Sequence, residues 1–537
     1  MSKRITIFFM TLLFCICFSI FRLYTLSQGE SLQTAASQNG IYKLNVASAR
    51  GIIYDCKKRP LVNLQKNTMM SVFPNDSTPK TLSQIMSSGE MNEIIPLLQA
   101  RKPFCLKVNS EQNRVISEDV QYFKVPKRYS DFQLASHILG YLDSSGNGVC
   151  GIEKAFNDYL NSSKGKIELK YKINALGEIL DGKQLKVEDT LYKQSQGVVL
   201  TIDKDLQKIS EEVAERYLKK GAIIITQVPN CEIRAFVSAP QFDPNNVSAS
   251  LNNEDSPLLN RGLSSYNLGS IFKLVTIAAA MENGVNLDIE FYCTGSINVN
   301  DGTYHCFNGK SHGREDAKLA LAYSCNTYFV NLMKDMDAEK FIDFTKSLGF
   351  GEKIELAPGL FSQSGNLPNL DSLKDPKLMA NLSFGQGKLM ATPIQVSGLI
   401  NAIASKGKLV KPKLIEGLVG ENLEYTKRNF QRPAKRAFSR YTADFLKEAM
   451  KMSADIGTGV LGKPEACEVA VKTGTAQSGI KVGEHYAQQA WYAGFFPANE
   501  PKYSVVVFAE DAESGSKSCG PAFKRVIEEI YNNQLEN

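Results

Sequence analysis

The chain has 537 residues, 43% hydrophobic and 22% charged, enough for roughly two to four domains with at least one large core. Its formal charge of +6 is spread over 62 basic and 56 acidic residues, which argues against a nucleic-acid-binding chain. No low-complexity tract or internal repeat points to a disordered or solenoid protein.

The first element is apolar. Residues 1–4, MSKR, precede the uncharged run ITIFFMTLLFCICFSIF (5–21), and Arg22 follows. At about 1.5 Å per residue the run is roughly 25 Å long, which spans a bilayer when the flanking cations snorkel. Lys3 and Arg4 predict a cytoplasmic N-terminus by the positive-inside rule. The next residues, RLYTLSQGE, contain no small-x-small cleavage site. The expectation is a cytoplasmic tail (1–4) and an uncleaved single-pass transmembrane anchor (5–24), with the rest of the chain on the extracytoplasmic side of the cell membrane.

Residues 25–195 mix short strand-like and helix-like pieces with polar connectors. A new unit begins at GVVLTIDKDLQKISEEVAERYLKK (197–220), where Asp203 is placed to N-cap a helix with apolar positions at helical spacing. GAIIITQVPNCEIRAFVSAP (221–240) reads as a hairpin about a Pro-Asn turn. YNLGSIFKLVTIAAAM (266–281) follows as a helix, and a long, mostly helical stretch occupies 314–455. Strands return at EVAVKTGTAQ (468–477), AWYAGFFPA (490–498) and KYSVVVFAE (502–510), before a last helix in AFKRVIEEIYNNQ (522–534). Strands at both ends with helices between predict an α+β domain whose antiparallel sheet is assembled from both termini of the domain.

Chemistry enters with Ser270 and Lys273. On a helix, positions i and i+3 share a face, so the lysine is placed to take the serine's proton if burial strips its own. Gly269 allows a tight entry that puts Ser270 at a helix N-terminus, where free N–H groups stabilise an oxyanion. Ser-x-x-Lys alone is unspecific, since it occurs six times, at Ser77, Ser163, Ser270, Ser405, Ser478 and Ser514. A core helix with a polar start is the plainer reading of this stretch by itself. Two further pieces favour the nucleophile: Ser324 and Asn326 in LAYSCNTYF (321–329), and Lys472, Thr473, Gly474 and Thr475 in VKTGTAQ (471–477). Lys-Thr-Gly occurs once.

In this order, Ser-x-x-Lys, Ser-x-Asn and Lys-Thr-Gly resemble the signature of penicillin-binding proteins and serine β-lactamases. NRGLSSYNLGSIFK (260–273), SFGQGKLMATPIQ (383–395) and WYAGFFPA (491–498) are similar to the transpeptidases, and ARGIIYDCKKRPLV (49–62) and HILGYLDSSGNGVCGIEKAFNDYL (137–160) to the class B, monofunctional members. The resemblance covers nearly the whole chain. It implies an elongated pedestal or dimerisation-like domain (25–195) carrying a transpeptidase domain (196–537), an antiparallel sheet flanked by helices with a helical subdomain. It further implies a peptidoglycan D,D-transpeptidase, active in cell-wall synthesis and cell shape and acylated by β-lactams. By the same resemblance Ser270 attacks the penultimate D-alanine of a stem peptide, Lys273 takes its proton, and Ser324 relays a proton to the leaving D-alanine. Asn326 holds the substrate amide, Lys472 and Thr473 the terminal carboxylate, and the N–H groups of Ser270 and Thr475 form the oxyanion hole beside Gly474. The chemistry needs no cofactor, and a membrane-embedded glycan polymerase is the implied partner. Leu268 and Asn230-Cys231 stand where the family usually has proline and glycine. A β-lactamase is disfavoured, since no Glu-x-x-Leu-Asn lies between Ser324 and Lys472 to activate a hydrolytic water. A β-lactam sensor or a non-catalytic scaffold of the same fold is the alternative.

Eleven cysteines are many for an extracytoplasmic chain. Cys15 and Cys17 lie in the anchor, leaving an odd number outside, which fits a reducing or anaerobic habitat better than a disulfide framework. Cys293, Cys306, His312 and Cys325 form Cys-x12-Cys-x5-His-x12-Cys, a donor set suited to a structural zinc, with His305 as a substitute ligand. The other readings are a Cys293–Cys306 disulfide or three free buried thiols. With Ser324 and Asn326 in a cleft, Cys325 between them should point away.

Overall fold

The computed structural model describes residues 2–27, 41–108, 117, 119–163, 165–173, 179–191, 196–287, 290–429, 434–482 and 485–535. They divide into two compact units: Met1–Arg50, Gln65–Arg128 and Ser162–Gln194 make the first, and Gly51–Leu64, Tyr129–Asn161 and Ser195–Asn537 the second. Segments 51–64 and 129–161 therefore pack with the second unit, although they fall inside the range expected for the pedestal.

In the first unit the helix Ser2–Ser27 carries a 23-residue stretch, Lys3–Thr25, long and apolar enough to cross a membrane and buried nowhere against protein. Two antiparallel three-stranded sheets follow. One pairs Ile41–Ser48, Lys166–Ile173 and Ile179–Asp189, and the other sets Gln65–Val72 between Phe104–Val108 and Val120–Lys127. The helix Ser88–Gln99 begins in a capping box, Ser87 accepting from the Glu90 N–H while the Glu90 carboxylate accepts from Ser87 N–H. It buries Ile94 in a cluster with Met70, Val72, Leu82, Phe104 and Val120.

The second unit is built on a five-stranded antiparallel sheet in the order Glu232–Ala239, Gly221–Gln227, Tyr503–Ala509, His485–Phe496 and Ala470–Val482. Its strands come from both ends of the domain, as the patterning predicts. Alternation sorts the two faces. Val505, Val507 and Tyr492 pack with Leu206, Val213, Val526 and Ile530 from helices Lys204–Tyr217 and Gly520–Asn532. Val506, Phe508 and Trp491 face the larger core with Leu274, Ile277, Leu399, Ile400 and Leu446, from helices Lys273–Glu282, Pro393–Ala404 and Arg440–Asp455. Asp203 caps its helix as expected, accepting from Asp205 N–H at 3.0 Å. At the Pro-Asn hairpin, Cys231 takes the left-handed backbone that glycine usually supplies, with φ +52°, and is fully buried.

Ile52–Tyr54 joins this unit by parallel pairing with Gly197–Leu200. Behind it lies an ion cluster. Arg59 reaches Asp55 at 2.7 Å, Asp203 at 3.0 Å and Asp205 at 2.7 Å. Asp55, fully buried, also accepts from the N–H groups of Lys57 and Arg59. This charge-assisted network ties residues 55–59 to the start of helix Lys204–Tyr217.

Candidate active site and metal cluster

The segment 266–281 turns sharply before it becomes helical. Tyr266–Asn267 pairs antiparallel with Met390–Ala391, and Gly269 then adopts φ +58° and donates its N–H to Gly385 O at 3.0 Å. A Cβ on Gly269 would stand 2.6 Å from Thr475 O, so this position admits only glycine without a shift of backbone. Ser270 follows in a 3-10 turn, Gly269–Phe272, that runs directly into helix Lys273–Glu282. Ser270 is half-buried on the wall of a cleft of about 690 Å³, and its hydroxyl has no hydrogen-bond partner among the described residues.

Lys273 is fully buried one turn along. Its ammonium donates to Asn326 Oδ1 at 2.7 Å, Ser324 O at 2.7 Å and Ser324 Oγ at 3.1 Å. Burial lowers its pKa to about 8. Ser324 sits at φ +60°, a left-handed conformation rare for serine, between the short helix Ala317–Ala322 and helix Asn326–Leu332. The turn is held by hydrogen bonds from Cys325 N–H to Ala320 O and from Ser324 N–H to Leu321 O. Asn326 is fixed at its other end, where Nδ2 donates to His305 O at 2.9 Å.

Lys472 approaches the same hydroxyl from the sheet, donating to Ser324 Oγ at 3.1 Å and to Thr473 O at 3.0 Å. It too is fully buried, and burial, with the nearby Lys273 cation, holds its pKa well below the ordinary lysine value. Thr473 and Thr475 line the cleft with Ser270, Ser324 and Asn326. Ala470–Val482 is the edge strand of the sheet, an edge at which an extended chain can add, although its Thr473 and Gln477 carbonyls already accept from Lys472 Nζ and Asn267 Nδ2. Gly474 permits the close approach of the Ser270 turn: a Cβ there would lie 2.9 Å from Ile271 Cγ1 and 3.0 Å from Leu268 O. The arrangement offers one unengaged hydroxyl, a second hydroxyl between two buried amines, and a strand edge beside them.

The cysteine segment folds against the back of this site. Phe291–Cys293 pairs with Gly313–Glu315, and Cys325 caps helix Asn326–Leu332, its sulfur accepting from Tyr328 N–H at 3.5 Å. The ligand atoms of Cys293, Cys306, His312 and Cys325 all lie within 4.8 Å of one another. Cys306 Sγ is 3.7 Å from both Cys293 Sγ and Cys325 Sγ, and Cys293 Sγ is 3.4 Å from His312 Nδ1. These sulfurs are not bonded, since a disulfide holds its sulfurs at about 2.05 Å. None of the eleven cysteines is paired. His305 takes no part: its side chain is exposed and outside the cluster. Thr327, fully buried, donates to Cys293 Sγ at 3.2 Å and contacts Cys325 Sγ at 3.2 Å. Cys325 thus points away from the cleft that Ser324 and Asn326 line.

Two residues of the site carry no obvious mark in the sequence. Thr458 accepts from Thr473 Oγ1 at 2.6 Å, from the Gly457-Thr458-Gly459 turn. A Cβ on Gly457 would meet Ala322 O at 2.2 Å, so this turn is fitted closely against the Ser324 support. Glu315 is almost wholly buried beside the thiols, where it partners the Cys325 thiol and no N–H or O–H group among the described residues donates to either of its oxygens.

Residues 221–528, more than half of the chain, match the family model described as penicillin binding protein transpeptidase domain. The chain is 27% identical to stage V sporulation protein D of Bacillus subtilis, over 94% of this chain and 81% of that protein. It is 26% identical to the peptidoglycan D,D-transpeptidase FtsI of Buchnera aphidicola, over 98% and 95% respectively. A solved structure described as structural coordination of polymerization and crosslinking by a peptidoglycan synthase complex shares the fold. It has a TM-score of 0.71 and 22% identity, and 99% of each chain is covered.

Proposed function

The chain belongs to the penicillin-binding protein transpeptidase family, and from that premise we propose how its cleft performs serine-type D,D-transpeptidation on peptidoglycan stem peptides. Ser270 attacks the carbonyl of the penultimate D-alanine, its proton passing to the neutral amine of Lys273. The oxyanion is received by the N–H groups of Ser270 and Thr475. Ser324 Oγ, set between two amines, relays a proton to the departing D-alanine nitrogen, and Asn326 holds the substrate amide. Lys472 and Thr473 bind the terminal carboxylate, while the donor peptide lies along the edge of Ala470–Val482. An amine from a neighbouring stem then resolves the Ser270 ester and forms the cross-link. A β-lactam enters the first half of this sequence and stops there.

The observation that carries this reading is the fully buried Lys273, joined at 2.7 Å to Asn326 and at 3.1 Å to Ser324, with its pKa lowered to about 8 by burial. A lysine so placed is partly neutral near neutral pH and able to act as a base. The test is cross-linking of synthetic stem peptides by the purified chain. Product formation supports the reading, whereas acylation by penicillin without any cross-link would assign a β-lactam sensor instead.

The Cys293, Cys306, His312 and Cys325 cluster fits a structural zinc. Bonds of about 2.3 Å to sulfur in a tetrahedron put the sulfurs about 3.8 Å apart, against 3.7 Å for the two pairs given above. Bound there, zinc would supply cross-linking of the 293–315 hairpin to the Ser324 turn and no chemistry on substrate. Zinc content near one per chain supports this; chains free of metal as isolated would contradict it.

Residues 5–24 are proposed as the membrane anchor, with 1–4 cytoplasmic and the transpeptidase domain (196–537) extracytoplasmic on a pedestal (25–195). A membrane-embedded glycan polymerase is the proposed partner, because this reading gives the chain cross-linking and no strand synthesis of its own.

A further inference from the structure

Glu315 is the anomaly of the second unit. A carboxylate buried with no N–H or O–H donor to either oxygen among the described residues, and the Cys325 thiol as its partner, is costly, and such groups normally hold a proton, a cation or a metal. The pleat explains how it arrives there. Phe291 pairs with Glu315 and Cys293 with Gly313, so Glu315 falls on the face that Cys293 presents, while Arg314 is exposed on the other. Glu315 Oε1 lies 3.9 Å from His312 Nδ1, the ring nitrogen that itself stands 3.4 Å from Cys293 Sγ. The carboxylate is therefore directed at the donor atom of the imidazole, and not at its far side, where a residue that merely orients the ring would sit. His312, in turn, forms part of the cleft wall, its ring parallel to that of Tyr323 at 6.0 Å between centroids.

We propose that Glu315 is an alternate ligand for the metal of the Cys293, Cys306 and Cys325 cluster, binding through a carboxylate oxygen when the His312 imidazole leaves it toward the cleft. The inference rests on the zinc reading of that cluster. The exchange would replace one nitrogen donor by one oxygen donor, with no electron transferred and the three thiolates of Cys293, Cys306 and Cys325 retained. The wall of the cleft gains freedom at His312, while the Ser324 turn remains tied through Cys325.

The test is transfer of zinc from the purified full chain to a chromogenic chelator, for the natural chain and for Glu315→Gln, His312→Ala and the double variant. The natural chain and both single variants should start with one zinc. Glu315→Gln, which preserves shape and all four primary donors, should release zinc about tenfold faster than the natural chain. The double variant should release it faster than either single variant, or fail to retain it. Release from Glu315→Gln at the natural rate would overturn the proposal, even if the double variant did not fold. Equal release from His312→Ala and the double variant would also overturn it. A natural chain without zinc would instead refute the metal reading on which the proposal rests, an outcome distinct from either of these.

Discussion

Cys325 and Asn326 are neighbours in the chain and serve opposite sides of one turn: the Asn326 amide oxygen accepts from the buried amine of Lys273 at 2.7 Å, and the Cys325 sulfur lies 3.7 Å from Cys306 Sγ in the thiol cluster. Between the preceding helix and this pair sits Ser324, in a left-handed conformation that costs roughly 1–2 kcal/mol for a residue with a Cβ. Something outside the turn has to hold it. The cluster does so from behind, and the two lysines do so from the cleft.

That linkage predicts the effect of metal removal. On the zinc reading of the cluster, treatment with a strong chelator, or substituting Cys325→Ser, should slow acylation of the protein by a fluorescent penicillin by about tenfold or more and lower its melting temperature. An acylation rate unchanged in metal-free protein would separate the cluster from catalytic geometry.

Lys273 predicts a pH profile. The base must be neutral, so acylation should rise about tenfold per pH unit at low pH and level off above about 8. The same shift makes a stability statement. The lysine titrates at 10.5 when unfolded and at about 8 when folded, so the unfolded chain binds more protons between these values. Its contribution to stability therefore improves as pH rises through that window, and the full penalty is present below it. A flat acylation profile from pH 6 to 9 would remove Lys273 from the role of base.

Gly269→Ala tests the entry to the nucleophile turn. The left-handed φ of +58° and the 2.6 Å approach to Thr475 O together predict a destabilised, poorly acylated protein. At Gly284, also left-handed at φ +75° but with nothing within 4 Å of an added Cβ, alanine should cost only the backbone strain and leave acylation intact. Equal loss in both variants, read by penicillin labelling, would count against a special role for the turn.

Removal of residues 1–27 tests the anchor. The shortened chain should partition to the soluble fraction and still bind penicillin, because the helix it loses is buried nowhere against protein. A truncated chain still in the membrane fraction would point to a further attachment.

Much of this was legible in the residues, for physical reasons. The sheet shows in strands such as KYSVVVFAE because apolar residues on both faces pack against helices, and Asp203 reads as a cap because its carboxylate meets a free N–H. Lys-Thr-Gly stood out because it is unique in the chain. What stayed hidden depends on contacts remote in sequence. Ile52–Tyr54 joins the second unit through parallel pairing with Gly197–Leu200, which no local pattern announces. Glu315, flanked by charged residues in a polar loop, looks like a solvated side chain until the register with Phe291 turns it inward. Thr458 is similarly ordinary until Gly457 is seen to bring its loop against Ala322. The cysteine spacing already pointed to Cys293, Cys306, His312 and Cys325, and the fold brings those four together while leaving the substitute His305 outside.

The most direct test of the account is the mass of the protein after brief exposure to benzylpenicillin, followed by peptide mapping of the adduct. One penicilloyl group per chain, on Ser270, and no adduct in Ser270→Ala at unchanged melting temperature, is the predicted result. An adduct on any other serine, or acylation that survives in Ser270→Ala, would contradict it.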